Sequence, residues 1–196
     1  MKASLVLIVI ACAVGAADTV WMFPFTELGA DWTAGYQWEI DLTGGHYGDP
    51  LASVGTDWNY STLSSGIMTL PGGVDSITVE FMSGYDYAGG VMDGWSYISI
   101  FAEVDTGTGS YTLIDITDGV SSMGYQTYSA SDTTLVSQPL LISTGETMEL
   151  NFTGGVDMGG DIYWVDLYWI VWDMIITGHG ETSLNRTSWA SIKSSF

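Results

Sequence analysis

Apolar residues return at every second position in several short runs, and this period of two constrains the fold more than any other feature. Ser76–Met82 places Ile77, Val79 and Phe81 on one side and Thr78 and Glu80 on the other, the pattern of a strand whose side chains alternate between two faces. Met148, Leu150 and Phe152 repeat it within Glu146–Thr153, and Ile98, Ile100, Ala102 and Val104 make a third such face. Further strands are expected over Tyr36–Leu42, Ile67–Leu70, Tyr111–Thr117, Gly124–Tyr128 and Thr134–Ile142, with turns at Pro71-Gly72-Gly73, Gly107-Thr108-Gly109 and Asp118-Gly119. Asp161–Gly178 is apolar on both faces apart from Asp166 and Asp173. It reads as a long central strand covered on each side and interrupted by a bulge. No stretch between the chain ends combines helical period with good helix formers, and the chain holds 25 glycines. An all-β sandwich or barrel is therefore expected.

Charge narrows the partners. The 196 residues carry 23 Asp and Glu against 3 Lys and Arg, a net charge of −20. The three cations are Lys2, Arg186 and Lys193, so the whole body from Ala3 to Asn185 has none. Nucleic acid is excluded as a partner of that body, because phosphate neutralisation needs Lys or Arg. An anionic membrane surface and a polyphosphate site are disfavoured on the same ground. Disorder does not follow from the acidity, since 46% of the residues are hydrophobic and 13% aromatic, enough to bury a core.

The two ends read as addresses. Residues 1–17 combine Lys2, the apolar run Leu5–Val14 and the small residues Gly15-Ala16-Ala17, the layout of a secretory signal peptide cut after Ala16 or Ala17. The run is well short of the ~20 residues a transmembrane helix needs, so no spanning segment is expected. Val9-Ile10-Ala11-Cys12 resembles a lipobox and makes lipidation of Cys12 the rival reading. With ordinary cleavage the only cysteine leaves and the mature chain has neither disulfide nor thiol chemistry. A body over 18–178 is followed by a linker and tail over 179–196. There Trp189, Ile192 and Phe196 share one face of a two-turn helix, either a sorting tag or a structural cap. The ending resembles short Trp-x-x-Ile-Lys-x-x-Phe tails of signal-bearing secreted bacterial proteins.

Within the body the order of features is similar to a known family. Asp31-Trp32, Trp38-Glu39-Ile40, Ser65–Pro71, the strand Ser76–Met82 and the closing Trp169, Asp173, Met174, Ile176 and Gly178 resemble MAM-type or concanavalin-like accessory domains of secreted bacterial proteins. The resemblance implies a jelly-roll β-sandwich of two antiparallel sheets and a non-enzymatic module. Trp172 stands where that family usually carries the first of two adjacent Asp residues, so the metal role of the Asp pair is not carried over.

No zinc-protease, nucleophile-elbow, P-loop or dinucleotide motif is present. Glu39 and Asp41 resemble the start of the Glu-x-Asp-x-x-Glu strand of laminarinase-type glycosidases. Gly44 and Gly45 follow Thr43 where the partner acid would be needed, and retaining hydrolysis requires two carboxyls ~5 Å apart. His46 and His179 lie in Gly-rich stretches and read as loop positions. Asp86, Asp93, Asp157 and Asp161 lie in Gly-rich turns where carbonyls and carboxylates could gather a structural Ca²⁺; Asp115 with Asp118 is a further pair. Tyr85, Tyr87, Trp95 and Tyr97 bracket the glycine-rich segment Ala88–Gly94. They are the expected ligand-binding aromatics, for a carbohydrate through stacking or for a cell-surface partner. The function expected is a secreted or cell-surface recognition module. A structural, self-associating matrix protein held by divalent cations is the alternative.

Overall fold

A computed structural model describes residues 19–22, 32–70, 73–142 and 146–180, with side chains described outside 19–22, 49–58 and 161–163. The signal-peptide and tail readings fall on residues outside these. The described residues contain strands and turns and no helix. The strands are β1 (Thr19–Met22), β2 (Thr33–Ala34), β3 (Trp38–Asp41), β4 (Gly44–Ser64), β5 (Met68–Thr69), β6 (Ser76–Thr106), β7 (Ser110–Leu141) and β8 (Thr147–His179). All pair antiparallel in one sheet whose main path is β2-β4-β8-β6-β7, with β3 on β4 and β1 and β5 on β8.

Four of these strands are far longer than the usual five or six residues, and the sheet is not flat. Phe152 and Trp169 are seventeen positions apart on β8. An extended strand would separate them by roughly 55 Å, yet their ring centroids lie 5.9 Å apart. Phe81 of β6 reaches the same Phe152 at 5.2 Å. The strands therefore double back, and the two layers of the jelly-roll sandwich are halves of one sheet that continues through the fold line. The expected all-β sandwich of two antiparallel layers is present, with its long strands continuous from one layer into the other.

The fold line is built from glycine. Gly94 of β6 pairs with Gly160 of β8, and both have positive φ, 149° and 133°. A Cβ on Gly94 would run into the Gly159 carbonyl, and one on Gly160 into the Asp93 carbonyl. Alternation slips here in both strands. On β6 the buried set changes from Ile77, Val79 and Phe81 to Ile98, Ile100, Ala102 and Val104; on β8 it changes from Met148, Leu150 and Phe152 to Val165, Leu167 and Trp169. The β6–β8 register is the same on either side, so the strands slip together. Layer one holds residues 76–91 of β6 and 163–179 of β8; layer two holds 94–106 and 147–160.

All three alternating faces read from the sequence lie in this core. The Gly-rich stretches around Asp86, Asp93, Asp157 and Asp161, expected as turns, are strand, and they meet at the fold line where Gly94 pairs with Gly160 and Trp95 with Gly159. Asp118-Gly119, read as a turn, is likewise inside β7. Gly107–Gly109 is the turn expected.

The glycines misread as turns instead make room for rings. Directly paired across strands are Tyr168 with Gly48, Tyr60 with Gly155, Trp95 with Gly159, Trp164 with Gly90 and Tyr128 with Gly89. In the last four pairs the ring occupies the space where a Cβ would project, and at Gly48 the Tyr168 ring lies in van der Waals contact with it. Aromatic cover of this kind shields glycine backbone that no side chain of its own protects.

The apolar strand 161–178 is central, between β4 and β6, and the expected bulge is at Asp173, with φ 53° and a register shift opposite Glu80–Met82. Its second face departs from expectation. Val165, Leu167, Trp169 and Val171 enter the core, but Trp164, Asp166, Tyr168, Ile170 and Trp172 point outward, and Tyr168 is 50% exposed. No described layer covers that face.

Candidate functional site

The uncovered face of layer one carries a groove of about 900 Å³. Direct pairings place Glu39, His46, Ile170, Gly84 and Thr133 in one row across β3, β4, β8, β6 and β7, all of them lining the groove. Tyr168 lies two residues from Ile170 on one side of the row and Trp172 two residues away on the other. Their rings form the walls because alternation on β8 sends all three side chains outward. At Gly84 the Thr133, Trp172 and Ile170 side chains close over the backbone, 3.3, 3.3 and 3.4 Å from the position a Cβ would take. At one end the β2–β3 turn presents Tyr36, 92% exposed, and Gln37. The Gln37 Oε1 atom is buried and accepts no hydrogen bond.

Asp41, beside this groove, is engaged in a turn. Its Oδ1 accepts from the Thr43 amide at 2.7 Å, the Thr43 hydroxyl at 2.6 Å and the Gly44 amide at 3.2 Å, and lies 3.2 Å from His46 Nε2. The hydrogen bonds from Thr43, with His46 adding to them, hold the Asp41 carboxyl down at about 2. His46 is thus a strand residue in a side-chain network and not a loop position. His179, also read as a loop residue, ends β8 with Nε2 2.9 Å from Thr78 Oγ1.

The four expected aromatics divide between opposite faces of the sheet and all lie on β6, not on a loop; Tyr85 also lines the groove, and Tyr87, Trp95 and Tyr97 do not. Tyr85 and Tyr87 stack at 5.7 Å on the inner side, where Tyr87 is buried and its hydroxyl donates to Asp118 Oδ2 at 2.9 Å. Burial, together with Asp118, pushes the Tyr87 phenol up, so this ring is a structural strut between layers. Tyr128 beside it is pushed up to about 12, mainly by burial. Trp95 and Tyr97 lie beyond the fold line on the outer face of layer two, 6.1 Å apart. The slip of alternation at Gly94 separates the pairs, and a strict period of two across Ala88–Gly94 would not reveal it.

Of the four expected calcium ligands, Asp86 and Asp157 divide in the same way, and the Asp161 side chain lies outside the described residues. Asp86 pairs with Tyr168 on the outer face of layer one; Asp157 pairs with Tyr97 on the outer face of layer two. Asp93 is exposed at the fold line, where Gly94–Gly160 pairing brings its backbone alongside that of Asp161. Among the described residues no group of three or more His, Cys, Asp or Glu is arranged to hold a metal ion.

Sequence reasoning named Tyr85 and Asp86, which line the groove, but missed its outward rings Tyr168 and Trp172. The groove walls lay in the segment read as covered on both sides, and the floor depends on Gly48 and Gly84 facing that strand. The available signal was Tyr168, Ile170 and Trp172 at alternate positions in a segment whose other alternate set already suffices for the core.

No family model matches the chain, and no curated protein matches it. Solved structures are similar at low identity. TmCBM61, solved with β-1,4-galactotriose, is 12% identical over 76% of this chain and 90% of its own, with a TM-score of 0.34. The N-terminal cellulose-binding domain of Cellulomonas fimi β-1,4-glucanase C is 12% identical over 82% and 99%, with a TM-score of 0.29. The C-terminal CBM6 of LamC, a marine laminarinase from Zobellia galactanivorans, is 13% identical over 77% and 98%, with a TM-score of 0.30.

Proposed function

We propose that the chain is a secreted, non-catalytic module that binds a neutral carbohydrate in the groove of layer one. The observation that carries this is the row Glu39–Thr133 between two outward rings, Tyr168 and Trp172, with the orphaned Gln37 oxygen at one end. Rings stack on the apolar faces of sugars, and acceptor oxygens take their hydroxyl protons. An unmatched buried acceptor costs about 1–3 kcal/mol until a donor reaches it. Polyanionic sugars are disfavoured because no Lys or Arg lies between Ala3 and Asn185. The leader read in residues 1–17 supports export.

The described carboxylates at the groove do not support hydrolysis. Asp41 is committed to its turn and held ionised, which removes it as a general acid. Glu39 and Asp86 line the groove, but the row separates their strands by three spacings, roughly 14 Å, against the ~5–9.5 Å that glycoside hydrolysis uses.

Native gels cast with hydroxyethylcellulose, xyloglucan, galactan or laminarin should retard the mature chain, and gels with alginate or pectate should not. Retardation by the acidic polymers alone would contradict the reading. Tyr168→Ala should weaken binding by about 1–3 kcal/mol with little change in melting temperature, because the ring is half exposed. Melting in CaCl₂ and NaCl at equal ionic strength checks the calcium expectation. Screening of 23 carboxylates alone gives equal rises, and a larger rise with calcium would mark a bound ion.

A further inference from the structure

The outer face of layer two repeats the chemistry of the groove with different residues. Tyr97 and Asp157 are directly paired across β6 and β8. Trp95, two residues from Tyr97, covers Gly159, and Tyr60 of β4 covers Gly155 on the other flank of Asp157. Three rings thus surround one carboxylate. Tyr60 is 51% exposed, and Trp95 and Tyr97 are half-buried against each other. Asp157 Oδ1 is buried and has no hydrogen-bond partner. Burial raises the Asp157 carboxyl and, with Asp157 adding to it, the Tyr60 phenol. A structural carboxylate would be expected to accept from a nearby donor, as Asp41 and Asp118 do.

We propose that Tyr60, Trp95, Tyr97 and Asp157 form a second carbohydrate-binding surface, on the opposite outer face from the groove, where a sugar packs on the rings and one of its hydroxyls donates to the Asp157 carboxylate between them. This rests on the reading of the groove only for the chemical class of the ligand. The two surfaces lie on different layers, one on each side of the sandwich, so a single molecule engages two chains, or two stretches of one chain, and cross-links the polymer. Such bivalency raises apparent affinity for a long polymer and leaves affinity for a short oligosaccharide unchanged.

The test uses the full mature chain in native gels containing the neutral polysaccharides named above, with melting curves for every variant. Tyr168→Ala combined with Trp172→Ala removes the groove walls; Tyr60→Ala combined with Trp95→Ala removes two rings of the second face. The groove variant should remain retarded with at least about tenfold weaker apparent affinity, and adding the second pair should abolish retardation. Tyr60→Ala alone, at a half-exposed ring, is the variant to read if the Trp95 change lowers melting. Abolition by the groove variant alone, or no effect of the second pair in its background, would overturn the second surface and leave the groove reading intact. Abolition by the second pair alone would overturn the groove reading and leave the second surface standing. A wild-type chain retarded by none of the four polymers overturns both.

Discussion

Trp169→Ala should lower the unfolding free energy by about 3–5 kcal/mol, the range for deleting a large buried aromatic, and equilibrium denaturation reads it directly. Trp169 is 1% exposed. Its ring meets Trp38 at 5.3 Å and Phe152 at 5.9 Å, and its indole N–H donates to Ser83 Oγ at 2.9 Å. Trp169 and Phe152 belong to one strand folded on itself, so the substitution removes contact between the two layers and not merely along one. Ser83→Ala is a smaller, separable test. It leaves the packing and strands the indole donor, which should cost about 1–3 kcal/mol. A Trp169→Ala chain within 1 kcal/mol of wild type would mean that the layers are not held at this point.

What the sequence made legible follows from where a period of two stays in step. Within each layer it does, and Ile77, Val79, Phe81, Ile98, Ile100, Met148, Leu150 and Phe152 are all core residues as the alternation requires. Across the fold line it does not, because Gly94 and Gly160 shift both strands together, so a face extrapolated from Tyr85 to Tyr97 crosses from the inside to the outside. Glycine was the second source of error. Its presence signals a turn when read locally, but at Gly48, Gly89, Gly155 and Gly159 it is the partner of a ring on the neighbouring strand. That pairing is a fact of register, which no local window contains. The same reason hid the outward rings of the groove, since Tyr168 and Trp172 become walls only when the strands on either side put Gly48 and Gly84 next to them.

The largest backbone effect should come from the fold line itself. Gly94→Ala and Gly160→Ala are each expected to destabilise by at least about 2–3 kcal/mol, from a positive φ unfavourable to any side chain and from overlap with a carbonyl that cannot rotate away. At Gly94 the added methyl meets the Gly159 carbonyl and the Gly160 Cα; at Gly160 it meets the Asp93 carbonyl and the Gly94 Cα. Each substitution therefore pushes on the other glycine, and the double variant should lose less than the sum of the two. Other glycines separate the two causes. Gly124 has φ 86° with open space around the Cβ position, so Gly124→Ala should report the conformational term alone, about 1–2 kcal/mol. Gly109 has open space and no positive φ, and Gly109→Ala should stay within about 0.5 kcal/mol of wild type. If all four substitutions destabilise equally, the strands do not turn at Gly94 and Gly160. A graded series, with these two the most severe, is the result that a single sheet folded along a glycine line requires.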